Sequence, residues 1–328
     1  MRVTPEAFWL SGGYGARRVS DGSRKKQRFS EMTWLRNMLS FLKQSSKTKA
    51  APKAALPELH LSGPVLQQAL QSAVTGCEPM GGVERYIAAL KLKSTLFQEA
   101  LLDGAVQVMT VDTFAGLCAF MSTVRRRVSA WLEEDAFAAV KTALIALLDG
   151  MEDTSTADAR LAAFCAAFPQ DKKHRWVRDL GAEILHNADP ERYPLMSRWM
   201  WDQKANTGVL REIWFADDID HITLDIPDSY ALFLVLRQEL GQYLTENGVF
   251  ADVLNYIDLL CAHVYADYIC AQGGSYLRTD FSSPQDPMEY TRRLLGLDGI
   301  RARSNKTRLK SIDGTAYVLD DADLLQQN

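Results

Sequence analysis

From residue 62 onward, apolar residues recur with the spacing of α-helices, and this pattern constrains the fold more than any other feature of the chain. Residues that begin or end helices separate the apolar segments: Pro64 stands in a first turn, and Gly76 closes the same segment. Further segments of this kind follow up to residue 187 and again from residue 229. The pattern predicts a mainly α-helical, globular body of many helices.

Two long segments in the second half show the boundaries of helices most clearly. Asp228 is placed to cap a helix that ends near Gly248. After a short connection, Asp252 is placed to cap a second helix, which ends at Gly273. Because the connection is short, we expect an antiparallel helical hairpin, and the second helix, which is apolar on most sides, should be central.

Two regions near the C-terminal end have the alternation of β-strands. Asp313-Gly314 stands between two alternating runs, which predicts an antiparallel hairpin over residues 308–319. HITLDI, residues 221–226, is a third candidate strand that could pair with this hairpin. The predicted fold class is therefore mainly α, a multi-helix globular body with a small antiparallel β element near the C-terminal end.

Basic residues are concentrated in the N-terminal part of the chain. Residues 1–53 hold 12 of the 37 Lys and Arg residues but only 3 of the 41 acidic residues, so this part carries +9 and the rest −13. We predict a basic, partly disordered arm over residues 1–57 that ends in a linker. A helical lobe over residues 58–187 and a second helical lobe with the β-hairpin over residues 188–328 complete the predicted organisation.

Within the arm, residues 33–43 have the periodicity of a short amphipathic helix. Its apolar residues are Trp34, Leu35, Met38, Phe41 and Leu42. Such a helix can dock on a partner protein or lie on an anionic membrane surface; it can also pack on its own body or belong to a targeting sequence. About 11 residues are too few to span a bilayer. Either Met1 or Met32 suits a translation start.

Cysteine usage and known motifs restrict the chemistry of the chain. The five cysteines are odd in number and include no CxxC pair, which fits free thiols in a reducing compartment better than disulfides or a zinc site. The sequence contains no phosphate-binding loop, no dinucleotide fingerprint and no complete hydrolase motif. We therefore expect no cofactor and a cytoplasmic location, with peripheral membrane association through the arm as an option.

An acidic cluster precedes the third candidate strand and consists of Asp217, Asp218 and Asp220. The stretch that contains it, WFADDID, resembles the aspartate-rich motif of class I terpenoid synthases, which binds magnesium and a diphosphate on an all-helical fold. The resemblance covers seven residues, and the second metal-binding motif of that family is not evident downstream. The resemblance implies a magnesium-dependent enzyme as one alternative for this chain.

The conformation of HITLDI decides whether the neighbouring polar residues can join this cluster. On a helix, His221 and Asp225 would lie one turn apart; on a strand, about 13 Å would separate them at ~3.3 Å per residue, too far for one ion. Ile222 and Thr223 are β-branched, and Pro227 disfavours a helix before it. The strand is favoured, and these side chains are predicted to point apart.

Two other groups of residues have chemical potential. His263 and Asp267 are one helical turn apart, so the carboxylate could orient the imidazole as a general base, although the sequence identifies no nucleophile beside them. Residues 292–310 form a basic segment that could bind the phosphates of a nucleic acid. Its basic residues are Arg292, Arg293, Arg301, Arg303, Lys306, Arg308 and Lys310.

The absence of a complete catalytic motif and the separable basic arm together favour one function class. We predict a non-enzymatic scaffold or adaptor that binds other proteins, with the arm as its docking element. The alternatives are a magnesium-dependent enzyme that uses the acidic cluster and a nucleic-acid-binding protein that uses residues 292–310.

Overall fold

The computed structural model describes residues 58–276, 286–299, 306–310 and 316–318. Every described residue belongs to one unit, Pro52–Asn328. The predicted arm, with its amphipathic helix over residues 33–43, lies outside the described residues.

The described part of the chain is mainly helical, as predicted. Its helices are α1 (Gly63–Cys77), α2 (Val83–Leu101), α3 (Ala105–Val108), α4 (Val111–Ala119), α5 (Glu134–Leu148), α6 (Ala157–Ala166), α7 (Trp176–Ala188), α8 (Val209–Glu212), α9 (Tyr230–Glu246), α10 (Val253–Tyr276) and α11 (Pro287–Leu294). Short 3-10 turns lie at Glu78–Met80, Val128–Trp131, Thr154–Thr156, Lys172–His174 and Ile219–His221.

Side chains cap several of these helices at their N-terminal ends, where backbone N–H groups lack partners inside the helix. The Thr110 hydroxyl accepts a hydrogen bond at the start of α4, and Asp286 does the same for α11. Helix α9 is capped by Ser229. Asp228, which the sequence suggested for this role, forms an ion pair with Arg178 instead. The cap therefore moves by one residue because a partner from another helix takes the carboxylate.

A single cluster of buried apolar residues extends from Leu66 to Leu295. Helix α7 lies inside it, and every residue of α7 except Arg178 is buried. Helix α10 packs against α1, α2, α8, α9 and α11, and α2 also packs against α7. Helices from both sides of residues 187–188 thus share this core, and the division into lobes over residues 58–187 and 188–328 stays a prediction.

The segment between α7 and α8 places a close turn in the core. Trp199 and Trp201 are buried there. Gly208 has φ +131°, and a Cβ at this position would lie 2.8 Å from the backbone oxygen of Met200. Only glycine tolerates both the backbone conformation and this approach. Residue 208 therefore allows the chain to turn back against Met200 before α8 begins.

The prediction of a third strand over residues 221–226 is wrong. His221 ends a 3-10 turn, and residues 222–226 belong to no helix or strand. Side chains occupy the backbone groups that a strand would use: Arg211 donates to the Ile222 carbonyl at 2.9 Å, and Trp201 donates to that of Ile226 at 2.8 Å. The backbone of Ile222 is extended (φ −96°, ψ 139°), as its β-branched side chain favours. The predicted pairing with another strand is not observed among the described residues.

Two short strands lie near the C-terminal end, β1 (Lys306–Lys310) and β2 (Ala316–Val318), and their backbones pair antiparallel. The residues between them and the side chains along both lie outside the described part, so the hairpin over residues 308–319 stays a prediction. Among the helices that the structure describes, none combines the length and apolar character that a membrane crossing requires.

Candidate functional site

The acidic cluster of the sequence lies on the surface. Asp217 and Asp218 are exposed, and the carboxylate of Asp218 lies 2.7 Å from Nδ1 of His221, which is also exposed. The side chain of Asp220 lies outside the described part. Among the residues that the structure describes, no three His, Cys, Asp or Glu side chains are grouped so that they could hold a metal ion.

The basic segment over residues 292–310 is described only in part. Arg293 donates to Glu289 at 3.1 Å and lies 3.9 Å from Asp298, while its guanidinium stacks over the ring of Tyr290 at 4.9 Å. Arg292 belongs to the same helix turn of α11. The side chains of Arg301, Arg303, Lys306, Arg308 and Lys310 lie outside the described part. In the part that is described, carboxylates therefore partly neutralise the basic residues.

A polar cluster in the interior surrounds α7. Lys93 pairs with Glu183, and Nε2 of His186 lies 3.0 Å from the Asp258 carboxylate. Burial lowers the pKa of His186, but the Asp258 carboxylate and further acceptors outweigh burial, so the pKa lies above its usual value of 6.5. The adjoining cavities measure about 20 and 10 Å³, room for roughly one water each. This cluster therefore stabilises the fold and does not accommodate a ligand.

A cleft of ligand size opens at the N-terminal end of α7, and we call it the α7 cleft. Its volume is about 500 Å³, within the range of about 300–1,000 Å³ that is usual for ligand pockets. Five basic residues line it: Lys172, Arg175, Arg178, Arg198 and Lys204. Three acidic residues line it as well: Asp171, Asp202 and Asp228.

One wall of the α7 cleft is the turn that precedes α7. Asp171 accepts hydrogen bonds from the backbone N–H groups of Lys173 and His174 at 2.7 and 3.1 Å, and its carboxylate lies 2.8 Å from Nδ1 of His174. The hydrogen bond from His174 is the main reason that the pKa of Asp171 is lowered. The ring of His174 also stacks on Trp131. These contacts fix the turn and present Lys172 beside the opening.

The arginines of the α7 cleft are held in place by carboxylates. Arg175 donates to Asp202 at 2.6 Å, and Arg178 donates to the backbone oxygen of Asp228 at 2.8 Å as well as to its carboxylate. Burial lowers the pKa of Arg178. Arginine side chains stay charged in proteins at neutral pH. Such paired guanidinium groups keep one orientation, because each bond to a carboxylate is directional.

Arg198 donates hydrogen bonds to Asp179, whose carboxylate is almost fully buried on α7. Nη2 of Arg198 donates to it at 2.7 Å, Nε at 3.3 Å, and the backbone N–H of Arg198 at 2.9 Å. Three donors on one carboxylate fix both the chain and the side chain of Arg198. Arg198 therefore has a fixed position in the α7 cleft.

The balance of charge in the α7 cleft is positive. Its walls carry five basic and three acidic side chains, and the buried carboxylate of Asp179 pairs with Arg198 below them, so the formal difference is +1. Lys172 and Lys204 are exposed, and neither has an ion-pair partner in the ranges that the structure describes. The chain beyond residue 53 carries −13 as a whole, so the α7 cleft has the opposite sign from the body around it. Such a cleft attracts anionic groups.

Cys165 also lines the α7 cleft, but it offers no nucleophile. Burial raises the pKa of its thiol to about 11, so the thiolate is scarce at neutral pH. The chemistry available to this cleft is therefore the binding of anions by guanidinium and ammonium groups.

Comparison with known proteins adds no relative: no protein-family model, no curated protein and no solved structure matches the chain. The case for function thus rests on the residues themselves. The residues of the α7 cleft were not recognised in the sequence because they are spread from residue 165 to 228. The one local signal is DKKHR, residues 171–175, where three of the lining charges lie within five positions.

Proposed function

We propose that the protein is a non-enzymatic adaptor that binds other proteins, and that the α7 cleft binds an acidic segment of a partner. The observation that carries this proposal is the positive cleft of about 500 Å³ in a body of opposite charge. A pocket of this size accepts a few side chains of a peptide. Carboxylates of the partner supply the charge that the cleft lacks.

The geometry of the charged groups supports a peptide carboxylate as ligand. Arg175 is about half exposed and uses one of its N–H groups for Asp202, which leaves further donors for a second carboxylate. Lys172 and Lys204 add two exposed ammonium groups. Fixed guanidinium groups give orientation, and the lysines strengthen attraction over a distance of about 8 Å at physiological salt.

The experiment measures binding of a fluorescent acidic peptide, such as a decamer of glutamate, by anisotropy at physiological salt. Reversing two exposed charges, in the variant Lys172→Glu/Lys204→Glu, should weaken binding about tenfold, since each surface ion pair contributes up to ~1 kcal/mol. A matched control, Arg85→Glu/Lys91→Glu on α2, changes the net charge equally and should bind like the wild type.

Three results would count against the proposal. The wild type could fail to bind the peptide, both double variants could lose affinity equally, or a single-stranded oligonucleotide could bind more tightly than the peptide. The last result would instead favour the nucleic-acid alternative.

We propose the N-terminal arm as a second docking element, through Trp34, Leu35, Met38, Phe41 and Leu42. Its test is a pull-down and membrane fractionation of the full chain against residues 58–328. Loss of partners from the shorter chain supports docking by the arm, and loss of membrane association alone supports an anionic membrane surface.

Two finer points belong to the same proposal. We place the protein in the cytoplasm, which fits its free thiols and is checked by localising a tagged full chain. We also propose that residues 308–319 form the β-hairpin, for which cross-strand nuclear Overhauser contacts between β1 and β2 are the test.

A further inference from the structure

A chain of hydrogen bonds away from the α7 cleft links α1, α10 and α11. Nε2 of His263 lies 2.9 Å from the hydroxyl of Ser72, and Nδ1 lies 3.2 Å from the hydroxyl of Thr291. Thr291 in turn donates to the carbonyl of Pro287 at 2.9 Å. His263 and Thr291 are buried, whereas Ser72 is exposed on α1. A buried imidazole therefore bonds to a serine that belongs to the exposed residues of α1.

These contacts determine where the protons lie. A threonine hydroxyl has one proton, and that of Thr291 is used for Pro287, so Thr291 can only accept from Nδ1–H of His263. The neutral ring then has a lone pair at Nε2, and Ser72 must donate its proton to it. Burial lowers the pKa of His263 below its usual 6.5, so the neutral ring dominates at pH 7. This is the arrangement of a general base beside a hydroxyl nucleophile.

Asp267 lies beside His263, but it does not orient the imidazole as the sequence predicted. Its carboxylate lies 3.5 Å from Nε2, the same nitrogen that faces Ser72, so Thr291 orients the ring and Asp267 does not. Asp267 is positioned to stabilise the positive charge that appears when Nε2 takes up a proton. Burial raises the pKa of Asp267. Asp286 is the other carboxylate that acts on His263, and it favours the charged ring as well.

We propose that Ser72 is a nucleophilic serine that accepts an acyl group from esters and thioesters, with His263 as the general base. Oγ of Ser72 forms a bond to the carbonyl carbon while its proton moves to Nε2 of His263. The bond from that carbon to the leaving oxygen or sulfur breaks with its electron pair, and the leaving group takes the proton from Nε2. The products are acyl-Ser72 and a free alcohol or thiol. This inference is independent of binding at the α7 cleft. If acyl-Ser72 forms, the protein is an adaptor with an added acyl-transfer activity, and the description non-enzymatic no longer applies.

The experiment incubates the full chain with p-nitrophenyl acetate, follows the release of p-nitrophenolate, and locates the acetyl group by peptide mass spectrometry. Ser155 is the internal control: it is exposed too, but its hydroxyl donates to the carboxylate of Asp153 at 2.6 Å. Hydrogen bonding to Ser155 lowers the pKa of Asp153, which makes it a weak base. General-base catalysis is worth about 10²–10⁴-fold, so Ser72 should be acetylated at least about 100-fold faster than Ser155.

Variants separate activation of Ser72 from a merely structural contact. Ser72→Ala should remove the labelled peptide and keep the fold, since alanine suits an exposed helix position. Asp267→Asn should slow acetylation about fivefold, because it removes the attraction between a partly exposed carboxylate and the charged imidazole. Thr291→Val should slow it by removing the orienting oxygen, and Thr291→Ser should restore the rate.

The pH profile is the readout that a structural role would not produce. The rate at Ser72 should rise with deprotonation of His263 and level off, with an inflection below pH 6.5, because the imidazole must be neutral to accept the proton. Three results would overturn the proposal: equal acetylation of Ser72 and Ser155, unchanged p-nitrophenolate release in Ser72→Ala, or a rate that rises through neutral pH without that inflection.

Discussion

Replacement of Lys93 should destabilise the fold strongly, because its charge is buried and paired. Its ammonium donates to Glu183 at 2.9 Å and to the carbonyl of Leu295 at 3.0 Å, and both charged side chains are only 4% exposed. Lys93→Met keeps most of the volume and removes the charge. The Glu183 carboxylate then stays buried, with the amide of Asn187 at 3.3 Å as its remaining side-chain donor.

The expected cost follows from this uncompensated charge. Removal of one partner from a buried ion pair destabilises proteins by about 3–5 kcal/mol. Against a typical total stability of about 5–15 kcal/mol, this loss is large, and it should lower the melting temperature by roughly 10 °C. The double variant Lys93→Met/Glu183→Met removes both charges. It should recover most of the loss and leave about 1–2 kcal/mol for the orphaned carbonyl of Leu295.

Urea unfolding, followed by circular dichroism, measures these changes. Lys91→Met is the matched control, because Lys91 lies on the same helix and pairs with Asp252 at the surface, where the two side chains are 52% and 38% exposed. It should change the free energy of unfolding by less than about 1 kcal/mol. A Lys93→Met variant that loses no more stability than Lys91→Met would contradict this prediction. So would a double variant that loses as much as the two single variants together.

Two further stability predictions concern the same core. Because the pKa of His186 is raised in the folded protein, its contribution to the free energy of unfolding is fully present below pH 6.5 and is lost as the pH rises through the folded-state pKa. Asp258→Asn should flatten this pH dependence, which urea titrations between pH 5.5 and 8 measure. Gly208→Ala should lower the free energy of unfolding by about 2–4 kcal/mol, because its Cβ would collide with Met200. Gly150→Ala, where φ is +66° and no atom lies close, should lower it by about 1 kcal/mol. Equal losses in the two variants would contradict the role of the collision with Met200.

The helices were predictable because helix signals are local. Apolar spacing, Pro64 and the glycine after α9 all act within a few residues of one another, although α10 continues past Gly273, where the sequence ended it, to Tyr276. The prediction that α10 is central was also correct, since an apolar surface on most sides has to be covered. The sequence predicted the N-terminal cap of α9 at Asp228, one residue before Ser229, which caps the helix. Arg178 lies 50 residues from Asp228, and nothing in the local sequence indicates their ion pair.

The same limit applies more strongly to the sites. His263 and Asp267 were found because they are one helical turn apart, but Ser72 lies 191 residues from His263, and no spacing pattern spans that interval. Likewise, local composition favoured a strand over residues 221–226. The side chains of Trp201 and Arg211 decided otherwise, because they took the carbonyls that a neighbouring strand would have bonded. Tertiary partners override local preference wherever backbone polar groups have a choice of partner.

The polar residues of α7 connect the interior of the fold to its candidate binding site. Glu183 and His186 point into the core and are bound by side chains of α2 and α10, and Asp179, one turn earlier, anchors Arg198. A hydrophobic face alone would allow α7 to rotate by a fraction of a turn at little cost, whereas directional bonds on successive turns permit one rotation. We infer that these bonds set the orientation of α7 and thereby the position of Arg178 at its N-terminal end. On this inference, the buried charges of α7 contribute to the geometry of the α7 cleft through Arg178.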